Sequence, residues 1–424
     1  MSFSEVGSIE RSEKRFSSQP VGYLFGRFGL LVLLAGLLLA AWFGQVVIVV
    51  LLGLVLSAAG LARLWSRFSL VGIHCERRLS ERRVFPGESI ELKLRVVNRK
   101  LLPLPWIQVD DEIPLGFDPG VSLMPGNRPG FGLLSKSAAL LWYTGVNWRQ
   151  LFRCNQRGYY SLGPLVISSG DIFGFYPRCI TEPATDHIIV YPKIYPVSHL
   201  GIPSLFPLGE TRAERRIFED PTRTIGVRDY TPHDSRRRIH WKASAHHQTL
   251  QVKVFEPTTT LKVALFLVVD SFKKGEAHNE DDFELGISTA ASVANYVTGQ
   301  GSPVGLYVNT RLVDSGRAIR IPPGSGTGQM VSILEALAKV TPGISKPFEE
   351  FLRGERIGLP WGTTLIFILS HPSKSLTHML VSLKASGYKL QVLQVGGEEE
   401  VAAGSNIAWR GVRQPADFMK IGGG

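Results

Sequence analysis

At 424 residues the chain has room for two or three domains, each large enough to bury a core of its own. A formal net charge of +11 and a pI near 9.6 call for an anionic partner; because part of that basicity flanks an apolar run, membrane phosphates are simpler candidates than nucleic acid. The three cysteines, Cys75, Cys154 and Cys179, are far apart and lack CxxC spacing, which excludes a zinc motif and a disulfide framework and fits a reducing compartment.

From Phe28 to Ala62 no residue is charged, and Gly44-Gln45 interrupts the run near its middle. A spanning helix needs about 20 apolar residues, so the run predicts two short spans, Tyr23–Phe43 and Val46–Leu64, within a transmembrane hairpin at 23–65. Tyr23, Trp42 and Trp65 stand where interfacial anchors belong. Arg11, Lys14, Arg15 and Arg27 precede the first span, and Arg63, Arg67, Arg77 and Arg78 follow the second. By the positive-inside rule both flanks are expected in the cytoplasm, the tail 1–22 and the bulk of the chain alike, giving a multi-pass protein of the cell membrane. A cleaved signal peptide is disfavoured, because the apolar run is too long and no small-residue cleavage site follows it cleanly.

Residues 70–200 alternate with period two between Pro and Gly breaks, as in SIELKLRVVN, LPWIQVDDEI and HIIVYPKIY. This predicts a β-sandwich-like domain. The stretches around Arg157-Gly158-Tyr159-Tyr160 and Gly170-Asp171-Ile172-Phe173-Gly174-Phe175 are read as turns and core aromatics.

Residues 201–260 hold the densest chemistry. Arg228, Asp229, Tyr230, Asp234, Arg236, Arg237, Arg238, His240, Trp241 and Lys242 crowd into a segment too polar for a core element and too aromatic for a solvated loop. Two readings stay open: an Asp/Arg network locking a junction between domains, or a surface presenting Arg and Trp to a partner. The candidate residues are Arg228, Tyr230, Asp234, Arg236, Arg238, His240, Trp241 and Lys242.

After that segment, strands and helices alternate: Leu261–Val269, a helix over Asp281–Thr298, Val304–Asn309, a helix over Gln329–Val340, Thr364–Ser370, a helix over Lys374–Ser386, and Lys389–Val395. Alternation of this kind predicts a mostly parallel sheet covered by helices over 261–424. The Gly324–Gly328 loop lacks the Gly-Lys-Ser/Thr ending of a nucleotide loop and is read as a turn that starts a helix.

Written as R-x-Y-x-P-x-D-x-x-R-x-I-H-W-K-A-S-A, the segment from Arg228 resembles the signature of the bacterial family called domain of unknown function 58. The order of membrane hairpin, β-rich segment, signature and α/β region is similar to that family too, as are the Arg157–Tyr160 and Gly170–Phe175 stretches, with Asn155-Gln156 and Ser169-Gly170 replacing the more usual neighbours. His233 and His246 depart from its pattern, the first where Gly is usual and the second where Arg is usual. The resemblance implies a C-terminal α/β domain of the von Willebrand factor A-like (Rossmann-like) class. It also implies a protein partner, a MoxR-type AAA ATPase, and a role in assembling or maturing protein complexes. In such domains the first strand ends in D-x-S-x-S and a later Thr completes the oxygen shell of Mg²⁺. This chain has Asp270 but Phe272 and Lys274 at the hydroxyl positions, His371 where a second acid falls, and Thr327 as the one stand-in for the Thr. A degenerate site, no bound metal and no cofactor are therefore expected.

The function expected is that of a non-enzymatic, membrane-anchored scaffold or adaptor with the bilayer and a protein as partners. The alternative is a hydrolase or metalloenzyme built from His233, Asp234, His240, His246 and His247, for which no HExxH or nucleophile elbow is present. Nucleic-acid binding through Arg236–Arg238 and Trp241 is disfavoured by Asp229 and Asp234 among those arginines.

Overall fold

A computed structural model describes residues 15–18, 26–120, 122–126, 128–183, 185–197, 219–231, 234, 239–257, 262–274, 277–355, 363–396 and 407–420. The chain divides into two compact units, 1–193 and 194–424.

The first unit opens with β1 (Arg15–Ser18), α1 (Arg27–Trp42) and α2 (Val46–Ser69). The pair was legible in the apolar run, but its lengths differ from expectation. With 16 residues α1 is about 24 Å long, short of a hydrocarbon core, whereas the 24 residues of α2 make about 36 Å, enough to cross one. The expected start at Tyr23 lies outside the described residues. Instead of ending at Leu64, α2 runs on to Ser69, because its last turns are held by the domain that follows: the Ser66 hydroxyl donates to the Tyr176 carbonyl, and Ser66 and Ser69 are buried. Between the helices Gly44 takes the left-handed conformation, and Gly36 faces Leu52 as Gly53 faces Leu37.

The strands of this unit follow as β2 (Ile73–Leu79), β3 (Arg83–Val84), β4 (Ser89–Asn98), β5 (Leu104–Pro114), β6 (Phe117–Asp118), β7 (Met124–Pro125), β8 (Phe131–Leu140), β9 (Gly145–Cys154), β10 (Gly158–Leu162), β11 (Leu165–Ser169), β12 (Arg178–Glu182) and β13 (Asp186–Val190). They form one sheet in the order β1-β12-β11-β5-β8-β7, another in the order β2-β4-β9-β6, and a small one, β10-β13-β3. Alternate residues of β4, namely Ile90, Leu92, Leu94 and Val96, share one core with Ile107, Val109 and Ile113 of β5. That is the period-two pattern of inward-facing strands.

Strand register fixes which loops lie together. Ile73 pairs with Asn98, Val97 with Gly145, Leu104 with Leu140, Ser169 with Ile107, and Ser18 with Arg178. The end of α2, the last residue of β1 and the loops at 99–103, 141–144 and 170–177 therefore share one end of the sandwich. There the Lys100 ammonium donates to the carbonyls of Phe68 and Ser69, and Arg178 donates to the Arg67 carbonyl at 3.1 Å. A cation on the last carbonyls satisfies acceptors that a helix cannot pair internally and matches its dipole. Burial lowers the Lys100 ammonium to about 8.

Inside the sandwich Arg77 of β2 bridges Asp111 of β5 at 2.9 Å and Asp186 of β13 at 2.8 Å. Burial pushes the Asp111 carboxyl up to about 6 against the pull of Arg77, and its Oδ2 accepts no hydrogen bond. An acid whose pKa is higher folded than unfolded adds stability below its unfolded value of about 4 and loses it as pH rises through the folded value. Denaturant unfolding between pH 4 and pH 7 should therefore show a falling contribution of up to about 3 kcal/mol from this group. Asp111→Asn should flatten that slope; an unchanged slope would show that another group carries it.

The second unit contains β14 (Glu219–Asp229), α3 (Trp241–His247), β15 (Gln251–Pro257), β16 (Val263–Leu267), a 3-10 turn (Val269–Phe272), β17 (Lys273–Lys274), β18 (Ala277–His278), α4 (Glu280–Gly299), β19 (Val304–Arg311), β20 (Ala318–Gly324), α5 (Thr327–Ala338), α6 (Phe348–Glu355), β21 (Thr364–Leu369), α7 (Lys374–Ala385), β22 (Lys389–Val395), β23 (Ala408–Val412) and α8 (Asp417–Lys420). Its main sheet has the order β20-β19-β16-β21-β22-β23, parallel except for β20 at one edge. Every residue of β16 and β21 is buried, as in a parallel sheet covered on both faces. Strand order reverses between β16 and β21, so their carboxyl ends mark the place where such sheets take ligands.

Candidate functional site

Asp270 follows β16 at that switch point, where the metal-site reading put it. Its carboxylate is engaged by the protein itself: Oδ1 accepts from Asn309 Nδ2 at 3.1 Å and Oδ2 from the Phe348 backbone N–H at 3.0 Å. Asn309 also accepts from the Val269 N–H at 2.9 Å and donates to the Lys346 carbonyl at 3.3 Å. One carboxylate thereby ties β16 to β19 and to the start of α6. Burial raises its pKa, and the two donors pull the other way.

Neighbouring residues bond to one another at the same strand ends. Ser271 Oγ accepts from the Ser370 N–H at 3.0 Å and donates to the Val268 carbonyl at 2.6 Å, while the His371 N–H donates to the Ser271 carbonyl at 3.0 Å. The buried Gln394 donates to the Ser370 carbonyl at 3.1 Å. Phe272 turns inward, its ring 5.7 Å from that of Phe283 and so close over Gly286 that a Cβ there would lie 2.5 Å from it. A phenyl ring thus fills core volume at the position of an expected hydroxyl.

Thr327 does not lie beside Asp270. It was expected, with Asp270, as part of a degenerate site in which it alone could stand in for the Thr, but β20 runs antiparallel, pairing Gly324 with Val304 at the amino end of β19. Since Thr327 opens α5 directly after that strand, it lies at the opposite end of the sheet, about 20 Å from the switch point at strand spacing. The Gly-rich loop does start a helix, and Gln329 seals it by donating to the Val304 and Pro322 carbonyls at 2.8 and 2.9 Å.

The Arg/Trp segment is more built than a plain hairpin. β14 and β15 pair antiparallel, with Asp229 opposite Gln251, and α3 lies between them in sequence. Arg228 grips Asp234 with both terminal nitrogens, and Thr231 donates to the same carboxylate through its N–H at 3.0 Å and its hydroxyl at 2.7 Å. These donors, Arg228 foremost, hold the Asp234 carboxyl well below the usual range. The Tyr230 N–H donates to the Leu250 carbonyl at 2.8 Å. His240 caps α3, its Nδ1 accepting from the Ala243 N–H at 3.0 Å. Ser244 Oγ accepts from the Gln251 N–H at 2.8 Å and donates to the His240 carbonyl at 3.0 Å, while Gln251 Nε2 donates to Asp229. Trp241, by contrast, stands 69% exposed on this frame beside an exposed Lys242. Arg236, Arg237, Arg238 and His233 lie outside the described residues.

Of the described members of the His/Asp set, Asp234 is taken by Arg228 and Thr231, and the Nδ1 of His240 by its helix. Among the described residues no three His, Cys, Asp or Glu side chains stand where they could hold a metal ion. In the first unit a groove of about 640 Å³ lies between Glu81–Arg83 and Thr185–Ile189, but its charges are mixed and Arg82 already pairs with Asp186 at 3.2 Å.

Residues 226–352 match the family described as Protein of unknown function DUF58. The DUF58 match takes in both the Trp241 frame and the Asp270 network and leaves out the sandwich. The Uncharacterized protein YeaD of Bacillus subtilis (strain 168) is 23% identical over 254 residues, 58% of this chain. The chain spans 58% of the length of that curated relative. Among solved structures, a CARDB domain from Pyrococcus furiosus is 12% identical over 28% of this chain and 91% of its own, with a TM-score of 0.18. The Pseudomonas fluorescens DNA glycosylase AlkC is 12% identical over 28% of this chain and 30% of its own, with a TM-score of 0.17. Scores of that size carry no argument about fold or function.

Because both Asp270 oxygens are used within the fold, Asp270→Asn should lose one acceptor and destabilise the second unit by about 1–3 kcal/mol. Melting temperatures of both chains should be the same in EDTA and in excess Mg²⁺. A Mg²⁺-dependent rise in the wild type that Asp270→Asn abolishes would instead mark Asp270 as a metal ligand.

Proposed function

We propose that this protein is a non-enzymatic, membrane-anchored adaptor whose Trp241 surface binds a protein partner. The observation that carries this reading is the exposed indole on a short helix whose neighbouring polar groups are spent on bracing it. A rigid Trp flanked by charge is the make-up of a binding hot spot, since little side-chain freedom is lost when it is covered. The partner class implied by the signature is a MoxR-type AAA ATPase, and the process is assembly or maturation of protein complexes. A doubly wound sheet with Asp270 after its first strand supports the von Willebrand factor A-like reading of the second unit. Its spent carboxylate supports a binding role without metal.

The helix pair is read as the anchor. Because β1 and β2, which flank it, both join the sandwich, the chain leaves and returns at one end of that domain. This supports a hairpin with both flanks in the cytoplasm, where an AAA ATPase would be met.

Detergent-solubilised protein should recover the ATPase from its own cells, and Trp241→Ala, a surface change that leaves the melting temperature unchanged, should lose most of that recovery. Equal recovery by the folded variant would overturn the proposed surface.

A further inference from the structure

The sandwich end that holds α2 is also where this domain exposes clustered apolar side chains. Leu101, Leu141, Trp142, Tyr143, Ile172 and Phe173 are each between 56% and 74% exposed, and all lie on the loops gathered there. Elsewhere on the domain exposed large apolar residues such as Leu115 and Met124 stand singly, which is ordinary for a protein surface, whereas a contiguous patch marks an interaction site. Tyr143 holds a left-handed backbone, φ 53°, a conformation that normally selects Gly or Asn.

The loops are fixed to the helix. Loop 99–103 reaches it through Lys100 on the Phe68 and Ser69 carbonyls, and loop 170–177 through the Tyr176 carbonyl on Ser66. Asn98 binds the first of these loops to the aromatic one, donating to the carbonyls of Leu102 at 3.0 Å and Leu141 at 2.9 Å. Arg63 is the first charged residue after the apolar stretch of α2. At 1.5 Å per residue, Ser66 and Ser69 stand about 4.5 and 9 Å beyond it. A headgroup layer is about 5–7 Å deep on each side of the hydrocarbon, so the attached loops meet the membrane at headgroup level.

Charge agrees with that placement. Arg63, Arg67 and Arg99 are exposed around the patch. The one acidic residue on these loops, Asp171, is buried and spent on the N–H groups of Phe173, Phe175 and Tyr176. Trp and Tyr among basic side chains is the composition of a membrane-interface belt.

We infer that Leu101, Leu141–Tyr143 and Ile172–Phe173 insert into the anionic headgroup layer beside α2, so that the sandwich sits on the bilayer as a fixed platform. This rests on the reading of α2 as a membrane span, and the test separates the two. The full chain, with Cys75→Ser and Cys179→Ser, receives one cysteine at Trp142, Phe173, Leu115 or Leu54 for a polarity-sensitive fluorophore. Cys154 does not compete, since it is buried and its thiol is pushed up to about 12. Each labelled chain that melts as the wild type does is placed in vesicles of phosphatidylethanolamine and phosphatidylglycerol carrying nitroxide lipids.

Probes at 142 and 173 should lose most of their emission to a nitroxide near the headgroup. A probe at 115, at the far end of β5, should keep its emission, and one at 54 should be quenched by a nitroxide deep in the chains. Emission at 142 and 173 as unquenched as at 115, with 54 quenched, overturns the platform alone. No quenching at 54 removes the membrane span and the platform with it.

Discussion

The last carbonyls of α2 have no partners within the helix, and the way they are satisfied governs the rest of the first unit. Lys100, on the turn between two sandwich strands, supplies its ammonium to two of them, and Arg178 supplies a third bond. A helix whose carbonyl end is held by two residues of the domain cannot swing freely on a linker. Its direction relative to the sandwich is set, and with it the domain end that faces whatever the helix enters. The pairing of β1 with β12 adds a second root on the other side of the helix pair.

At the sheet end of the second unit the same principle recurs with the opposite charge. A buried carboxylate must either be neutralised or be given donors, and Asp270 has the amide of Asn309 and the first N–H of α6. That arrangement makes the carboxylate a staple between two strands and a helix. Phe272 beside it is packed against Phe283 and Gly286, so a side chain of another shape there would have to replace core volume.

Much of this was legible in the residues, because long periodic segments carry their own signal. Lys389–Val395 is found as a strand with the expected ends, and the expected helix over Asp281–Thr298 is α4 with one residue added at each end. What escaped were elements defined by partners rather than by pattern. β20 ends in Pro322-Pro323-Gly324 and is a strand only because it lines the edge of β19; missing it also sent Thr327 to the wrong end of the sheet. α3 is short and polar, and it exists because His240 and Ser244 tie it to β15. The signature residues were singled out as one group, but composition could not separate Arg228 and Asp234, which bind one another, from Trp241, which faces out. Nothing in the sequence marks Lys100 among its basic residues, since its role comes from a helix end about thirty positions away.

A covalent trap across the β1–β12 pair tests whether the helix pair is rooted at both ends in one end of the sandwich. Ser17 and Cys179 are direct cross-strand partners, within the separation a disulfide spans. In membranes holding the full chain with Ser17→Cys and Cys75→Ser, mild oxidation should join residues 17 and 179 within one chain, seen as a linked peptide by mass spectrometry and as protection of both thiols from alkylation. If both thiols remain open to alkylation after oxidation, the segment before α1 does not return to the sandwich, and the two-rooted helix pair is wrong.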